Sequence, residues 1–445
     1  MTGRQTVSRR AFLKRTAVAA SATAALPFIV PASALGADGT VAPSNRIGLG
    51  FIGMGNEGTQ KNLQQFLAEE DVQVLALCDV DSKRLRNAHF AMQTYSKRPS
   101  ISQFRGCMTT GDWREVIARD DIDAIVISTP DHWHVTMAMA AARSGKDVFC
   151  EKPISLTVDE GRVLSDTIDR YGRVFQSASE ARRVRAFLHA CELVRNGRLG
   201  KLETIRTATY RGFGSGELDT NPTFTPMTPP NNFDYDMWLG PAPEVPFTKD
   251  RCHRNFRFNY DYAGGNLGDW GAHIHDIAQW GNGTERSGPL SVEGQGTFPR
   301  EGIYNTATDW EMTFEYGNGV KLITKSGGFF IRFEGTEGWI QADWDTIEAS
   351  SPDILRSVIA PEEIHLRTCR EGEQRDFLNC VKSRRETMAP AEVGHRTATL
   401  AHIATISMLL GRKLQWNPEA ERFVNDEEAN RMLTRPMRSP WRLDV

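Results

Sequence analysis

The glycine-rich segment Gly53-Met54-Gly55-Asn56-Glu57-Gly58 constrains the fold of this chain more than any other sequence feature. It follows a short apolar run at residues 47–52, which we predict as a strand, and a predicted helix at residues 57–67 begins within it. Glycines spaced as G-x-G-x-x-G at a strand-to-helix turn are typical of a βαβ unit that binds a dinucleotide. The sequence therefore predicts a nucleotide-binding domain near the N-terminus.

The spacing gives the three glycines and a later acidic residue separate roles. Gly53 is expected to make the tight turn, Gly55 to let the backbone approach a pyrophosphate, and Gly58 to let helix and strand pack closely. Asp79 lies about 20 residues beyond Gly58, where a carboxylate binds a ribose 2′-hydroxyl and repels a 2′-phosphate. NAD is therefore favoured over NADP. Two alternatives stay open: Asp79 only caps the strand–helix turn, or the nearby Arg84 accommodates NADP.

Strands and helices alternate through the first part of the chain. Further strands are predicted at residues 72–78, 122–128, 147–150 and 174–177, with helical patterns between them. This alternation predicts a parallel sheet with right-handed crossovers, the doubly wound Rossmann architecture. We therefore expect an α/β fold whose N-terminal Rossmann domain spans residues 45–178.

The pattern changes after residue 178. Strand-like stretches bounded by Gly and Asn follow from residue 202 onward, and helical patterns return at residues 374–383 and 392–410. We predict a second domain over residues 179–445 with an antiparallel or mixed sheet. A Pro-rich stretch that begins at residue 221 is too long for an ordinary connection, which indicates a functional loop or an extended arm.

A basic leader precedes both domains. Ser8-Arg9-Arg10-Ala11-Phe12-Leu13-Lys14 has the twin-arginine pattern, an apolar run covers residues 16–30, and Ala32-Ser33-Ala34 offers a cleavage site. We therefore predict a twin-arginine signal peptide at residues 1–36 and export of the folded protein to the periplasm or cell envelope. Retention of the leader as a membrane anchor is the alternative, although two prolines break the apolar run, which is short for a span.

Charge and cysteine usage narrow the class of protein. Loss of residues 1–34 would remove five basic residues and no acidic one, so the formal net charge of −3 would become more negative by five. An acidic mature chain argues against nucleic-acid binding and suits an enzyme with small polar substrates. The sequence has no second long apolar segment that would predict a membrane span. Its seven cysteines are too scattered to indicate a disulfide framework.

Two polar segments follow predicted strands. Thr129-Pro130-Asp131-His132-Trp133-His134 comes after one strand, and Glu151-Lys152-Pro153 comes after the next. Ligands of doubly wound sheets bind outside the carboxyl ends of the strands, so both segments are expected at the nucleotide site. There, Lys152 could hydrogen-bond a substrate hydroxyl and stabilise developing alkoxide charge.

A third polar cluster runs from Gly264 to Asp276. If a helix begins near Leu267, then Asp269, His273 and Asp276 share one face. A carboxylate stacked against an imidazole orients it and tunes its pKa, as a general base requires. The alternative is a solvated polar helix face.

A metal site is a weaker interpretation of the histidines. The candidate ligands are His132, His134, His253, His273, His275 and Asp269. Their spacing matches no known metal motif, so we predict no metal.

Together these residues resemble the Gfo/Idh/MocA oxidoreductases. The E-K-P motif of that family matches Glu151-Lys152-Pro153, and its D-x-G-x-H-x-x-D motif matches Asp269, Gly271, His273 and Asp276. The resemblance covers the chain from about residue 45 to its end. It implies a C-terminal α/β domain with a large, mostly antiparallel sheet, which in this family usually packs against a partner, so a homodimer or homotetramer is expected.

The resemblance also implies roles for individual residues. Lys152, Asp269 and His273 would be catalytic, with His273 taking a hydroxyl proton and Lys152 holding the oxygen. These three residues and Arg182 would contact the substrate. The expected cofactor-binding set is Gly53, Met54, Gly55, Asn56, Gly58, Asp79, Thr129, Pro130, His134, Glu151 and Lys152. Asp131 departs from the asparagine usual in the family at this place.

Three functions are compatible with these features. The first is an NAD-dependent oxidoreductase that transfers hydride between a hydroxyl carbon of a sugar, glycoside or polyol and a tightly bound nicotinamide. The second is a redox-neutral glycoside hydrolase or lyase that oxidises its substrate transiently and eliminates the aglycone. The third, a non-catalytic sugar-binding protein, is disfavoured by the intact Lys152, Asp269 and His273.

The C-terminal part resembles an exported subgroup of the family that is common in Planctomycetes and Bacteroidetes. The segments that carry this likeness are Trp238-Leu239-Gly240-Pro241-Ala242-Pro243, Glu334-Gly335-Thr336-Glu337-Gly338-Trp339 and Arg438-Ser439-Pro440-Trp441. Export would remove the enzyme from the cytoplasmic pool of free NAD, which favours a cofactor that stays bound through the catalytic cycle.

Overall fold

Strand β1 (Ile47–Ile52) lies inside a parallel sheet, and all six of its residues are buried. Burial of consecutive residues, rather than of alternate ones, indicates a strand that is covered on both faces. In the computed structural model, which describes residues 41–42, 45–95, 106–213 and 220–443, this sheet has six strands in the order β3-β2-β1-β4-β5-β6. The other strands are β2 (Val72–Cys78), β3 (Met108–Thr110), β4 (Ala124–Ile127), β5 (Asp147–Cys150) and β6 (Phe175–Ser177).

Helices connect these strands. A π-helical segment, Glu57–Leu63, follows the glycine loop and continues into helix α1 (Gln64–Ala68). The next helices are α2 (Ser82–Tyr95), α3 (Trp113–Ile117), α4 (Asp131–Arg143) and α5 (Val158–Tyr171). The strand order reverses between β2-β1 and β4-β5, which opens a crevice at the carboxyl ends of the central strands.

A second sheet occupies the later part of the chain. Among the described residues it has nine strands in the order β13-β12-β11-β7-β10-β9-β8-β14-β15, and β7 and β10 are its parallel neighbours. Its strands are β7 (Leu202–Thr209), β8 (Ser291–Thr297), β9 (Asp309–Glu315), β10 (Lys321–Ser326), β11 (Phe330–Gly335), β12 (Gly338–Ala342), β13 (Ile347–Ala349), β14 (Leu414–Asn417) and β15 (Arg422–Phe423). The predicted α/β fold with a parallel and a mostly antiparallel sheet is confirmed.

The helices in the later part of the chain are α6 (Arg185–Arg195), α7 (Tyr235–Leu239), α8 (Gly265–Asp269), α9 (Gly271–Asn282), α10 (Pro352–Arg356), α11 (Glu373–Ser383), α12 (Ala391–Leu410) and α13 (Glu427–Asn430). Of these, α6, α9 and α12 pack against the second sheet. Alternate side chains of β9 are buried in one core with residues of α9 and α12. On the opposite face, β9 and β10 present the exposed charged residues Glu311, Lys321 and Lys325. Helix α9 contacts β7 of this sheet and the helices α6 and α12, which together position its N-terminal end.

The later part of the chain also packs into the parallel sheet. Phe377 of α11 belongs to the same hydrophobic core as Phe51 and Phe149 of that sheet. Arg375 of α11 donates two hydrogen bonds, of 2.8 and 2.9 Å, to the Asp71 carboxylate. The described residues from Ile47 onward accordingly form one compact unit. The division into domains at 178/179 stays a prediction, and the predicted leader lies outside the described residues. None of the described helices has the length and apolarity needed to cross a membrane.

Candidate active site

A cavity of about 540 Å³ lies at the carboxyl edge of the parallel sheet. Its walls come from distant parts of the sequence: the glycine loop, the ends of β2, β4 and β5, the turn after β6, and the α8–α9 region. The topology explains this convergence, because the carboxyl ends of parallel strands meet at one edge of the sheet. The predicted nucleotide and catalytic segments therefore share one cavity.

The glycine loop has a backbone geometry that other residues could not adopt at two of its positions. Gly53 has a φ of +90°, and a Cβ there would lie 2.6 Å from the backbone of Ser128. A Cβ on Gly58 would lie 1.9 Å from the carbonyl oxygen of Gly53, so only glycine allows this helix to begin so close to β1. Gly55 and Asn56 line the cavity, whereas Met54 is buried behind it. The predicted roles of the glycines fit this arrangement.

Asp79 ties the end of β2 to the glycine loop. Its Oδ2 accepts a hydrogen bond of 2.7 Å from the backbone N–H of Met54, and its Oδ1 accepts one of 2.8 Å from Asp81. Burial raises the pKa of Asp79 to about 6, and the two backbone N–H groups oppose that rise. Asp79 and Arg84 both line the cavity. A carboxylate at this place fits the ribose hydroxyls of NAD.

Lys152 and Asp269 form an ion pair across the cavity, although they are far apart in sequence. Lys152 Nζ contacts Asp269 Oδ1, and Arg257 Nη1 donates a hydrogen bond of 2.7 Å to Asp269 Oδ2. Burial favours the uncharged forms of Lys152 and Asp269. At Asp269, the positive charges of Lys152 and Arg257 outweigh this effect and hold the pKa of the carboxyl group well below its usual range. The Asp269 and Glu151 carboxylates likewise outweigh burial at Lys152 and raise its pKa.

His273 lines the same cavity but pairs with a different carboxylate from the one expected. Its Nε2 lies 3.9 Å from Glu180 Oε1, and its buried Nδ1 has no hydrogen-bond partner among the described residues. Burial and the positive charge of Lys152 lower its pKa to about 3, so the imidazole is neutral near pH 7. A neutral imidazole in a cavity can accept a proton from a hydroxyl group.

The expected stacking of Asp269 on His273 is wrong. Asp269 ends α8, and α9 begins two residues later at Gly271. The carboxylate of Asp269 is held by Lys152 and Arg257, whose two positive charges attract it more strongly than a neutral imidazole does. Sequence periodicity showed the shared helical region but not the cations supplied by other segments.

Arg182 does not lie where a substrate-binding residue was expected. It is 4% exposed, does not line the cavity, and forms a buried ion pair with Asp276, with an Nη2–Oδ1 distance of 2.6 Å. It also donates a hydrogen bond of 2.7 Å to the carbonyl oxygen of Met388. Because its donors are engaged in the interior, Arg182 joins β6, α9 and the loop before α12 and is not placed to contact substrate. Asp276 is correspondingly a partner of Arg182 and not of His273.

The remaining predicted cofactor residues lie around the cavity. His134 Nδ1 is 2.8 Å from the carbonyl oxygen of Pro153, and its Nε2 is 2.8 Å from that of Thr129. His134 thus joins the two loops that follow β4 and β5. Thr129 and Pro130 line the cavity, and Glu151 Oε1 accepts a hydrogen bond of 2.8 Å from Asn62. These residues surround the expected cofactor, and their binding roles stay predictions.

Asp131, His132 and His275 lie in surroundings different from those of the predicted cofactor residues. Burial and the nearby Asp269 carboxylate raise the pKa of Asp131 well above its usual range. His132 contacts the carbonyl oxygen of Trp238, and His275 contacts Thr324 in the core of the second sheet. Across the described part of the chain, no group of three or more His, Cys, Asp or Glu is arranged to hold a metal ion.

The irregular excursion covers the nucleotide end of the cavity. We call residues 220–262 the strap. The backbone N–H of Ser82 donates to the Asn232 carbonyl at 2.8 Å, and that of Asp234 donates to the Val80 carbonyl at 2.9 Å. The strap thus adds a short antiparallel pairing to the loop that directly follows Asp79. Near the C-terminus, Arg438 Nε donates to the Gly240 carbonyl at 2.9 Å and holds the strap from the other side.

Three residues of the site were missed by sequence reasoning. Lys61, Glu180 and Arg257 all line the cavity with charged groups. Lys61 lies on the predicted helix after the glycine loop, but nothing in its spacing distinguishes it from a solvated lysine. Arg257 belongs to the strap, where no periodicity is available as a signal. Glu180 follows β6 at the carboxyl edge of the sheet, and this position was the one available clue.

Comparison with known proteins identifies the family. The Gfo/Idh/MocA models match residues 47–179 as an oxidoreductase-family NAD-binding Rossmann fold and residues 189–443 as an oxidoreductase-family C-terminal alpha/beta domain. A curated alpha-N-acetylgalactosaminidase from Shewanella oneidensis is 32% identical over 209 residues, which cover 44% of this chain and 44% of that protein. The chain thus spans less than half the length of the curated relatives it matches.

Solved structures share the fold. The aldose-aldose oxidoreductase from Caulobacter crescentus, complexed with glycerol, matches with a TM-score of 0.61 and 20% identity, over 83% of this chain and 99% of that chain. The WlbA dehydrogenase from Bordetella pertussis, in complex with NADH and UDP-GlcNAcA, has a TM-score of 0.61 and 15% identity, over 84% and 99%. With an NAD-binding Rossmann half and a matching C-terminal half, the chain belongs to the Gfo/Idh/MocA oxidoreductase family.

Proposed function

We propose that this enzyme transfers hydride between a hydroxyl-bearing carbon of a sugar, glycoside or polyol and an NAD molecule held in the cavity. The observation that carries the proposal is the convergence of Lys152, Asp269 and His273 beside the glycine loop. These residues are remote in sequence, and a merely solvated polar surface would not bring a buried ammonium, a carboxylate and a neutral imidazole together.

The roles of the side chains follow from their charges. His273 is neutral near pH 7, so it can take the proton of a substrate hydroxyl. Lys152 is kept cationic by Asp269 and can stabilise negative charge that develops on the same oxygen. Arg257 and Lys152 together fix the Asp269 carboxylate, which positions the ammonium group. When bound, the nicotinamide supplies the acceptor for the hydride.

The cofactor is proposed to be NAD and to remain bound through turnover. Asp79 favours NAD over NADP, because a 2′-phosphate would meet its carboxylate. The strap supports the proposal of slow release, because it lines the cavity and is hydrogen-bonded to residues 80–82 directly after Asp79. Retention of the cofactor suits an enzyme that works where free NAD is scarce.

Identification of the nucleotide and of the reaction tests this proposal. The purified protein would be denatured and the released nucleotide identified by mass spectrometry, before and after incubation with a panel of glycosides and polyols. We expect close to one NAD per chain, and reduction of that NAD by at least one sugar. Protein that binds neither NAD nor NADP, when both are offered in excess, would refute the assignment.

Redox-neutral glycoside cleavage is the second candidate, and one comparison favours it. The relative from Shewanella oneidensis is named as a glycosidase, and the part it shares with this chain is 44% of that protein. Lys152 and His273 could serve either chemistry, since both begin with oxidation of a hydroxyl carbon. Release of aglycone from a chromogenic glycoside without net formation of NADH would identify cleavage, whereas a stable keto sugar would identify net oxidation.

Export and assembly complete the proposal. The twin-arginine pattern at residues 8–14 supports delivery of the folded, cofactor-loaded enzyme to the periplasm or cell envelope. Replacement of Arg9 and Arg10 by lysine is expected to leave the protein in the cytoplasm, as cell fractionation would show.

A homodimer or homotetramer is proposed from the family, and light scattering on the purified enzyme measures the oligomeric state. A monomer would contradict that part.

A further inference from the structure

We infer that Glu180 is a positioning residue for His273: its carboxylate, anchored by Lys61, stabilises the imidazolium that forms when His273 takes a proton. The inference rests on the proposed function, because it gives His273 a partner for the charged state that proton transfer creates. It replaces the role first expected of Asp269. Both Glu180 and Lys61 line the cavity.

The fold brings Glu180 to His273 from a separate element. Glu180 begins the 3₁₀ turn Glu180–Arg183, which follows β6 at the carboxyl edge of the parallel sheet. Its Oε1 lies 3.9 Å from His273 Nε2, which is the distance of an ion pair when the imidazole is protonated and too long for a hydrogen bond in the neutral state. The contact therefore strengthens when the ring gains a proton.

Lys61 holds the other oxygen of Glu180. Its Nζ lies 3.1 Å from Glu180 Oε2 and 3.7 Å from Glu57 Oε2. Burial opposes ionisation of Glu180, but the positive charge of Lys61 outweighs it and lowers the pKa of Glu180, so the carboxylate is charged near pH 7. Since Lys61 comes from the segment after the glycine loop, this pair fixes the Glu180 side chain between the nucleotide and catalytic parts of the cavity.

Four charged groups of the described residues act most strongly on His273. These groups are Lys61, Lys152, Glu180 and Asp269. Asp269 is already neutralised by Lys152 and Arg257, and the two lysines oppose a positive charge on the ring. Trp270 and Trp344 pack against the imidazole with ring centroids 5.9 and 5.5 Å away and supply no charge. Glu180 is therefore the carboxylate best placed to stabilise an imidazolium here.

Proton transfer from the substrate balances within this arrangement. The O–H bond of the hydroxyl breaks and an N–H bond forms at Nε2 of His273, and Glu180 stays ionised throughout. The resulting imidazolium–carboxylate pair lowers the free energy of the protonated state relative to the neutral one. Lys61 keeps the carboxylate in place and does not take part in the proton transfer.

Histidine titration tests the inference without any need for turnover. We would label the histidines with ¹⁵N and follow His273 by NMR in a Lys152→Met background, where removal of the opposing cation raises its pKa toward the accessible range. Adding Glu180→Gln is expected to lower the apparent pKa of His273 by about one unit. Glu57→Gln is the matched control, because Glu57 contacts Lys61 but does not contact His273. An unchanged pKa in the Glu180→Gln protein would overturn the inference.

Kinetics provide the second test. Glu180→Ala is expected to lower kcat by about 10- to 100-fold while KM and bound NAD stay close to wild type. Added formate, which can occupy the vacated place beside Lys61, should restore part of kcat, whereas chloride at equal ionic strength should not. Equal responses to formate and chloride would contradict the positioning role. The NMR result stands even if the proposed reaction is wrong, so the two failures are distinguishable.

Discussion

The glycine loop and the α8–α9 region border one cavity but depend on different physical constraints. In the loop, backbone conformation decides: Gly53 needs a positive φ and Gly58 has no room for a Cβ. At α8–α9, charge decides: Asp269 is directed by Lys152 and Arg257, and His273 faces Glu180. The steric requirements of the loop can thus be read from its own glycines, whereas the charge pairing at α8–α9 depends on segments that the whole fold brings together.

Removal of the imidazole gives the largest expected effect on the α8–α9 side. His273→Gln should lower kcat by about 10²- to 10⁴-fold, because the general base is lost and the polar volume is kept. Bound NAD and the unfolding temperature should change little, since the buried Nδ1 of the ring has no hydrogen-bond partner among the described residues. Steady-state kinetics, nucleotide content and thermal unfolding measure the three quantities. Normal turnover would remove His273 from the mechanism.

Breaking the buried Arg182–Asp276 pair should affect stability rather than chemistry. Arg182→Met leaves the Asp276 carboxylate buried without its main partner, which costs about 3–5 kcal/mol of unfolding free energy. KM for the sugar should stay within about threefold of wild type in protein that remains folded, because Arg182 does not line the cavity. Denaturant unfolding and kinetics decide between the roles: a raised KM with unchanged stability would restore the substrate role.

Alanine substitutions in the glycine loop should separate steric from functional glycines. In Gly58→Ala the new Cβ would overlap the Gly53 carbonyl, so we expect destabilisation of about 1–3 kcal/mol and loss of bound NAD. In Gly55→Ala the new Cβ meets only the end of the Arg84 side chain, at 3.1 Å, so stability should be kept and NAD affinity reduced. Equal destabilisation of both variants would contradict the steric distinction.

Acidification should weaken the α9 region through its buried neutral histidines. Burial lowers the pKa of His275 to about 4, against about 6.5 in the unfolded chain. Because the unfolded state binds the proton first, stability is kept above pH 6.5 and falls by about 1.4 kcal/mol per pH unit for this group as the pH drops toward 4. His275→Gln should reduce that slope in denaturant unfolding curves measured from pH 7 to pH 5. A slope equal to that of wild type would contradict it.

The sequence could predict the parts of the structure that local patterns encode. Alternating strands and helices predicted the parallel sheet, and the glycine spacing with Asp79 predicted the nucleotide site. Asp269, His273 and Lys152 were predicted to share the catalytic site. The residues that pair with Asp269 and His273, namely Arg257 and Glu180, were not predicted. Lys61, Glu180 and Arg257 carry no distinguishing local signal, because an ion pair depends on which segments the fold brings together. The misplacement of Arg182 has the same cause.

The most direct test of the account is a single turnover of the NAD-loaded enzyme with a reactive sugar, followed by the near-ultraviolet absorbance of reduced nicotinamide. The account predicts rapid appearance of that band in wild type, slowing when the reacting carbon carries deuterium, and near-absence in His273→Gln with equal NAD content. Both oxidation and redox-neutral cleavage pass through this reduction. Sugar conversion by wild type without reduction of the bound nicotinamide, or equal reduction in His273→Gln, would contradict the account.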